Sequence, residues 1–135
     1  MYTKLLEVQK EIGAIKKDSE NPFYKSMYFD INGLLRAVKP VLNKHGLVLT
    51  QSLCALDGNK LGLITAITHA DSKERIQDAC PLPDVADAQK AGSAITYFRR
   101  YALQSLLALE AEDDDANTVV DTTNYKKGDK PSFKI

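Results

Sequence analysis

The chain has 135 residues, of which 44% are hydrophobic, and this length and composition fit one domain with its own core. Its 18 basic and 18 acidic residues cancel to a net charge of zero, so binding to nucleic acid would require a local basic patch. No apolar run approaches the roughly 18 residues of a membrane span, and the N-terminus lacks the apolar stretch of a signal peptide. Two cysteines without CxxC spacing, Cys54 and Cys80, favour a reducing cytoplasm over a disulfide.

Charge is unevenly distributed along the chain. Residues 1–109 carry a net charge of +3, residues 110–121 carry −6, and residues 122–135 carry +3. From residue 116 onward Asn, Thr, Asp, Lys and Gly dominate without periodicity, which is typical of a mobile tail. We therefore predict one domain over residues 1–115 and a flexible C-terminal tail over residues 116–135.

Two helices are predicted before the first strand. Residues 2–17 place apolar side chains on one stripe, formed by Tyr2, Leu5, Val8, Ile12 and Ile15. Residues 22–29 form an aromatic-rich loop that contains one lysine. Asp30 is placed to cap a second helix, which Pro40 should kink and Gly46 should end. The apolar stripe of that helix consists of Ile31, Leu34, Leu35, Val38, Val41 and Leu42.

Three strands and a long helix follow. Leu47–Leu56 and Lys60–His69 are predicted as strands, joined by a hairpin turn at Asp57-Gly58-Asn59. Lys73–Cys80 is predicted as a third, more polar strand, and the long helix begins around residues 85–88. The fold class is therefore α+β: a three-stranded antiparallel β-meander with a long helix packed on it, a β-β-β-α core, preceded by two N-terminal helices.

The long helix has two different faces at 100° per residue. One face is apolar and is predicted to meet the core; it consists of Ala91, Ala94, Ile95, Phe98, Tyr101, Ala102, Leu106 and Leu109. The opposite face gathers Ser93, Thr96, Tyr97, Arg100 and Gln104, with Arg99 on its flank. A guanidinium beside hydroxyls and an aromatic ring suits a phosphate backbone with exposed bases. Spacing alone, however, favours an ordinary amphipathic helix with a solvated polar face.

The order of the residues in this segment gives evidence beyond their spacing. The run Gly92-Ser93-Ala94-Ile95-Thr96-Tyr97-Phe98-Arg99-Arg100-Tyr101-Ala102-Leu103, followed by Glu112-Asp113-Asp114-Asp115, resembles the signature of the ERF (essential recombination function) family. A second stretch is similar to the family's aromatic-led helix with its His/Asn-Gly turn: Tyr28, Ile31, Leu34, Leu35, Val38-Lys39-Pro40-Val41-Leu42 and His45-Gly46-Leu47. The resemblance covers about residues 24–115.

This resemblance implies a single-strand annealing protein of phage or prophage type, acting in the cytoplasm of a bacterial host. The expected function is binding of single-stranded DNA and annealing of complementary strands without ATP, as a ring or helical oligomer. The expected partners are single-stranded DNA, the annealed duplex intermediate, other copies of the chain, and a host or phage single-strand binding protein or exonuclease. The candidate DNA-binding residues are Lys90, Ser93, Thr96, Tyr97, Arg99 and Arg100 on the helix, with Lys25 and Tyr28 in the aromatic loop.

Two other functions stay open on the sequence. The acid run Glu112–Asp115 could hold Mg²⁺ in a metal-dependent nuclease or form a solvated linker, although contact with a neighbouring subunit's basic face is the favoured interpretation. The aromatic loop could instead anchor a protein-interaction module. The chain has neither a Walker-type phosphate loop nor a Cys/His set for zinc. We therefore expect no ATP use, no cofactor and no catalytic residue.

Overall fold

A computed structural model describes residues 1–15, 19–20, 27–28 and 30–111, and the side chains of residues 19, 20, 27 and 28 are not part of the description. Within these ranges lie three helices and seven strands, in the order α1 (Tyr2–Ile12), β1 (Ala14–Ile15), β2 (Ser19–Glu20), β3 (Met27–Tyr28), α2 (Ile31–Lys44), β4 (Leu47–Leu56), β5 (Lys60–His69), β6 (Arg75–Pro81), α3 (Ala88–Leu107) and β7 (Glu110–Ala111). The predicted α+β fold class is confirmed.

The three long strands form an antiparallel meander in the order β4-β5-β6. The first hairpin pairs Leu47 with His69 at one end and Leu56 with Lys60 at the other. Its turn at Asp57–Asn59 contains Gly58 at φ 75°, a left-handed conformation that glycine adopts without a steric penalty. The predicted strands β4 and β5 and their turn are therefore confirmed residue by residue.

Two short pairs of strands complete the secondary structure of the described residues. Strand β1 runs parallel to β7 and pairs Ala14 with Glu110, so the segment after α1 is held to the segment after α3. Strand β2 pairs antiparallel with β3, with Ser19 opposite Tyr28. The sequence predicted neither pair, because a strand of two residues is too short to show an alternation of apolar and polar residues.

All three helices contribute to a core on one face of the meander. Helices α1 and α2 are in contact, α2 lies on β4, and α3 lies on β5 and β6. The buried cluster consists of Val8, Ile15, Ile31, Leu34, Val38, Leu42, Leu47, Ile67, Leu103 and Leu107. Among the described helices, none is long and apolar enough to cross a membrane.

Helix α2 follows its prediction closely. The carboxylate of Asp30 accepts a hydrogen bond from the Asn32 backbone N–H at 3.4 Å, and Gly46 ends the helical segment at φ 75°. The helix continues through Pro40 to Lys44. A contact that the sequence did not indicate ties this end to α1: Glu11 Oε1 lies 2.8 Å from His45 Nε2 and 3.1 Å from Lys44 Nζ.

The N-terminal helix is shorter than predicted. It ends at Ile12 instead of residue 17, because Gly13 takes φ 58° and leaves the helical region. Ile15 is buried as expected but lies in β1, whereas the prediction that Tyr2 faces the core is wrong, since 75% of this residue is exposed. Tyr2 lies in the first turn of the helix. Helical spacing gives the direction of its side chain but does not show whether the core extends as far as that turn.

The third strand starts later than predicted. It begins at Arg75 instead of Lys73 and extends to Pro81 instead of Cys80. The Lys73 backbone N–H donates to the His69 carbonyl at 2.9 Å with φ 65° at Lys73, so this residue closes the turn after β5. The turn after β5 therefore includes Lys73 and Glu74, which the prediction placed in the strand.

Candidate nucleic-acid interface

The candidate interface is built on α3, which begins where the sequence predicted. Asp87 caps the helix, with its carboxylate accepting a hydrogen bond from the Lys90 backbone N–H at 2.7 Å. Twenty residues later the helix ends at Ala108, which adopts the left-handed conformation at φ 51°. A capped helix lying across β5 and β6 gives the side chains on its outer face fixed positions.

The side of α3 that faces the core is only partly the predicted one. Ala91, Ala94, Ile95, Phe98, Ala102 and Leu106 are half-buried as the apolar stripe requires. Tyr101 was predicted on the same stripe, and this is wrong, because 44% of it is exposed. Leu103 and Leu107 were left off the stripe and are buried. They belong to the same core cluster as residues of α1 and α2, so the C-terminal half of α3 is covered on a second side.

The exposed side of α3 carries a cluster of two rings and one guanidinium, formed by Tyr97, Arg100 and Tyr101. The Arg100 guanidinium carbon lies 5.1 Å from the Tyr97 ring centroid and 5.0 Å from the Tyr101 centroid. The two ring centroids are 4.6 Å apart at an interplanar angle of 54°. Because Arg100 contacts both rings within cation–π range, the cluster presents aromatic surface and positive charge at the same place.

The two hydroxyl groups of this cluster are linked electrostatically. A hydrogen bond between the side chains raises the pKa of Tyr97 and lowers the pKa of Tyr101, as expected when the first hydroxyl donates to the second. The Arg100 guanidinium also acts to lower the pKa of Tyr101, because a nearby positive charge favours the ionised phenol. The three side chains therefore behave as one unit.

Three more of the predicted residues line the same side of the helix toward its N-terminus. Lys90, Ser93 and Thr96 are all exposed. The Thr96 hydroxyl donates to the Gly92 carbonyl one turn earlier at 3.1 Å, which keeps it close to the helix surface. A Cβ at Gly92 would meet nothing within 4 Å, so the space beside these residues is open.

The backbone of Arg99 is tied to the sheet. Its carbonyl accepts a hydrogen bond from Gln51 Nε2 of β4 at 3.0 Å. Gln51 Nε2 also donates to the Thr65 hydroxyl at 3.0 Å, whereas its buried Oε1 has no partner among the described residues. Arg99 and Arg100 are both half-buried, and the Arg100 guanidinium contacts the two exposed rings.

Comparison with known families decides the family of the chain. A sequence model of the ERF superfamily matches residues 1–134, which is nearly the whole chain. The chain belongs to the ERF superfamily. No curated protein and no solved structure is similar enough to count as a match. ERF membership implies a role in DNA recombination and strand annealing.

Several predicted residues of this ERF protein lie outside the described part of the chain. Lys25, the acid run Glu112–Asp115 and the tail over residues 116–135 all belong to this group, so their roles stay predictions. Tyr28 is described as a backbone position in β3 without its side chain. Within the described ranges, no group of three or more His, Cys, Asp or Glu residues could hold a metal ion.

Sequence reasoning missed Tyr101 as a member of the exposed cluster. Its position four residues after Tyr97 and one after Arg100 was a usable signal, because residues four apart on a helix are neighbours. The apolar-stripe argument assigned it to the core, since an aromatic ring counts as hydrophobic in such a pattern. In this ERF protein the ring instead extends the exposed surface around Arg100.

Proposed function

We propose that this ERF protein binds single-stranded DNA along the exposed side of α3 and anneals complementary strands without ATP, acting as an oligomer. The observation that supports this most directly is the cluster of Tyr97, Arg100 and Tyr101, in which half-exposed rings flank a guanidinium. Bases stacked on aromatic rings contribute roughly 1–3 kcal/mol each with little dependence on sequence. An annealing protein needs such sequence tolerance, because it must hold any strand.

The exposed polar residues extend the cluster into a track for the DNA backbone. From Lys90 to Arg100 the helix rises about 15 Å at about 1.5 Å per residue. At the roughly 3.4 Å spacing of nucleotides in a B-form strand, this length spans about four nucleotides. In this proposal Lys90 and Arg100 contact phosphates, and Ser93 and Thr96 contact phosphate or sugar oxygens between them.

A track of this length explains why we propose an oligomer. A few phosphate contacts release few counterions, so one copy would bind weakly at physiological salt. Adjacent copies on one strand would add their contacts, which raises the overall affinity without a strongly basic protein. This fits a chain whose net charge is zero.

The mechanism we propose is physical and involves no covalent step. The arginine and lysine side chains hold the backbone, the bases stay accessible, and partner strands exchange until a matched duplex forms. We therefore propose that the protein is not an enzyme and that the annealed duplex is released as the product. Its origin in a phage or prophage, and cooperation with a single-strand binding protein or exonuclease, belong to the same proposal.

The direct test is binding of a fluorescent poly-pyrimidine oligonucleotide, followed by anisotropy. Arg100→Ala should weaken binding about tenfold, and Arg36→Ala, which removes an exposed arginine on α2, serves as the matched control with nearly unchanged affinity. Arg99→Ala should have a smaller effect than Arg100→Ala, because it is the Arg100 guanidinium that contacts both rings of the cluster. Wild-type affinity in both Arg99→Ala and Arg100→Ala would show that the proposed site is misplaced.

A second assay separates annealing from the nuclease alternative. Two labelled complementary strands are mixed with the protein without ATP, once in EDTA and once with Mg²⁺, and duplex formation is followed by energy transfer. The proposal predicts faster annealing than with no protein and intact strands on a denaturing gel. Strand cleavage that requires Mg²⁺ would instead support a nuclease that uses the acid run.

A further inference from the structure

Strand β4 is a sheet edge with none of the usual protection. Its ten residues, Leu47–Leu56, include no charged residue and no proline. In the described part of the chain β4 pairs with β5 on one side, and no strand covers its other side. Natural edge strands usually carry lysine, proline or a bulge, because a long uncharged edge pairs with other chains. At the opposite edge, β6 carries Arg75, Asp78 and Pro81.

Leu53 is the more exposed of two large apolar side chains that β4 leaves uncovered, the other being Val48. Strand alternation places it on the face of the sheet that carries the helices, together with Leu47, Leu49 and Gln51. Its cross-strand neighbour Leu63 is 1% exposed, whereas Leu53 is 52% exposed. An exposed leucine on an uncharged edge is what a strand-pairing contact buries.

The other edge of the sheet has a matching groove on the same face. Between β6 and α3 lies a groove of about 200 Å³, lined in part by Cys80, Phe98, Tyr101, Ala102 and Ser105. Cavities of about 150 Å³ hold a molecule as large as benzene, so this groove is large enough for a leucine side chain. Because Cys80 is paired with Leu63, it shares the sheet face on which Leu53 lies.

We infer that the β4 edge of one copy pairs with the β6 edge of a second copy, with Leu53 of the first copy inserted in the β6–α3 groove of the second. This deepens the proposed function, on which it rests for the expectation of an oligomer, by naming the surface that joins the copies. Each copy offers one edge of each kind, so the contact is head-to-tail and generates a ring or a helix.

The strand directions and lengths agree with this pairing. Strands β4 and β6 run in the same direction, because each is antiparallel to β5. Copies stacked side by side with their helices on one face would therefore pair β6 with the next β4 in parallel. With Leu53 opposite Cys80, residues 48–54 lie along Arg75–Pro81. The charges of Arg75 and Asp78 disfavour pairing of two β6 edges with each other, and Pro81, at the end of β6, costs the ladder one donor.

The contact also lies beside the proposed DNA site. Tyr101 lines the groove and at the same time belongs to the exposed cluster around Arg100. A neighbour whose Leu53 occupies the groove therefore borders the DNA track of the copy that receives it. The pairing would bring the tracks of successive copies next to one another, as binding of one continuous strand requires.

Disulfide trapping tests the pairing directly. The variant Leu53→Cys/Cys54→Ser leaves Cys80 as its partner thiol, and within one chain positions 53 and 80 are two strands apart, about 9.6 Å. This exceeds the roughly 7 Å limit on the Cα separation of a disulfide, so any bond between them joins two copies. Since burial raises the pKa of the Cys80 thiol, oxidation should be run at about pH 8.5.

The inference predicts dimers and a ladder of higher species on a non-reducing gel, and their loss when Cys80→Ser is added. The matched control is Val48→Cys/Cys54→Ser, a cysteine on the same exposed edge but on the opposite face, which should give no ladder. A cross-linked dimer that persists after Cys80→Ser, in which position 53 carries the only thiol, would show that β4 pairs with another β4. The absence of any cross-link would likewise overturn the proposed contact.

A second variant tests assembly without cross-linking. Leu53→Lys places a charge on the edge and should reduce the mass found by light scattering from a multiple of 14.9 kDa to that of one chain. Leu6→Lys, which changes a leucine of α1 that is 50% exposed, is the control and should leave the mass unchanged. A Leu53→Lys protein that keeps its circular dichroism and its full assembled mass would contradict the inference.

The same samples distinguish the two proposals. Assembly through Leu53 in a protein that does not bind an oligonucleotide would refute DNA binding and leave the contact standing. An oligonucleotide-binding protein whose mass is that of a monomer with and without DNA would refute the contact and leave the α3 site standing.

Discussion

The two halves of α3 show opposite uses of one continuous helix. In the C-terminal half, Leu103 and Leu107 are buried in a cluster shared with α1 and α2. In the N-terminal half, the side chains from Lys90 to Tyr97 that face away from the sheet are exposed. The helix is therefore held rigidly at one end while the other end presents its surface, which is the arrangement that a precise binding surface requires. Stability and binding should accordingly respond to different residues.

The largest expected effect is on stability, at the buried end. Leu103→Ala removes a fully buried side chain and should lower the free energy of unfolding by about 2–5 kcal/mol. Tyr97→Ala, at an exposed position, should change it by less than about 1 kcal/mol. Urea unfolding followed by circular dichroism gives both values. Equal destabilisation by the two variants would remove the distinction between the halves.

The exposed half should dominate binding. Tyr97→Ala removes a ring of the cluster and should weaken oligonucleotide binding by roughly 1–3 kcal/mol, or about thirtyfold at the middle of that range. Tyr97→Phe keeps the ring and loses the hydroxyl, so it should retain most of the affinity. Fluorescence anisotropy measures both variants. Loss of binding in Tyr97→Phe would show that the hydroxyl acts in place of the ring.

The fold was predictable where one pattern governs a segment. The meander followed from alternation around Asp57-Gly58-Asn59, and α2 followed from its stripe and its cap at Asp30. The end of α1 depends on the backbone conformation of Gly13. The sequence does not determine this conformation, because glycine is tolerated inside helices at a modest cost. The β1–β7 pair joins distant segments, and no local pattern specifies such a contact.

The sequence predicted which residues form the site better than it predicted which of the neighbouring side chains are buried. The exposed positions of Lys90, Ser93, Thr96 and Tyr97 follow from helical periodicity. Leu103 and Tyr101 were misassigned because a single stripe assumes one packing partner, whereas α3 meets the sheet along its length and α2 on a second side. Helical periodicity gives the angles of the side chains around the helix axis, and the elements packed against the helix decide which of these side chains are buried.

A smaller effect should appear at the contact that joins α1 to the end of α2. The hydrogen bond from His45, and after it the contact with Lys44, lowers the pKa of Glu11 below its ordinary value of 4.5. A carboxyl whose pKa is lower in the folded state stabilises the fold above its ordinary pKa, and this contribution is lost as the pH falls through the folded value. Glu11→Gln should therefore lower the Tm at pH 7 and make little difference at about pH 3.

Thermal melts at the two pH values measure this difference, with Glu7→Gln on the same helix as a control for removal of one charge. Glu11→Gln should leave oligonucleotide affinity unchanged, because Glu11 belongs to the α1–α2 contact and not to the exposed side of α3. A Tm difference that persists at about pH 3 would show that the packing of the Glu11 side chain, and not its charge, stabilises this contact.

The central claim is that the exposed side of α3 holds the DNA backbone, and the salt dependence of binding tests it most directly. The affinity of wild type, Arg100→Ala and Arg36→Ala for a poly-pyrimidine oligonucleotide is measured over a series of salt concentrations. If Arg100 neutralises a phosphate, the slope of log affinity against log salt should be shallower by about 1 in Arg100→Ala, and Arg36→Ala should parallel wild type. An Arg100→Ala slope equal to that of wild type would contradict the claim.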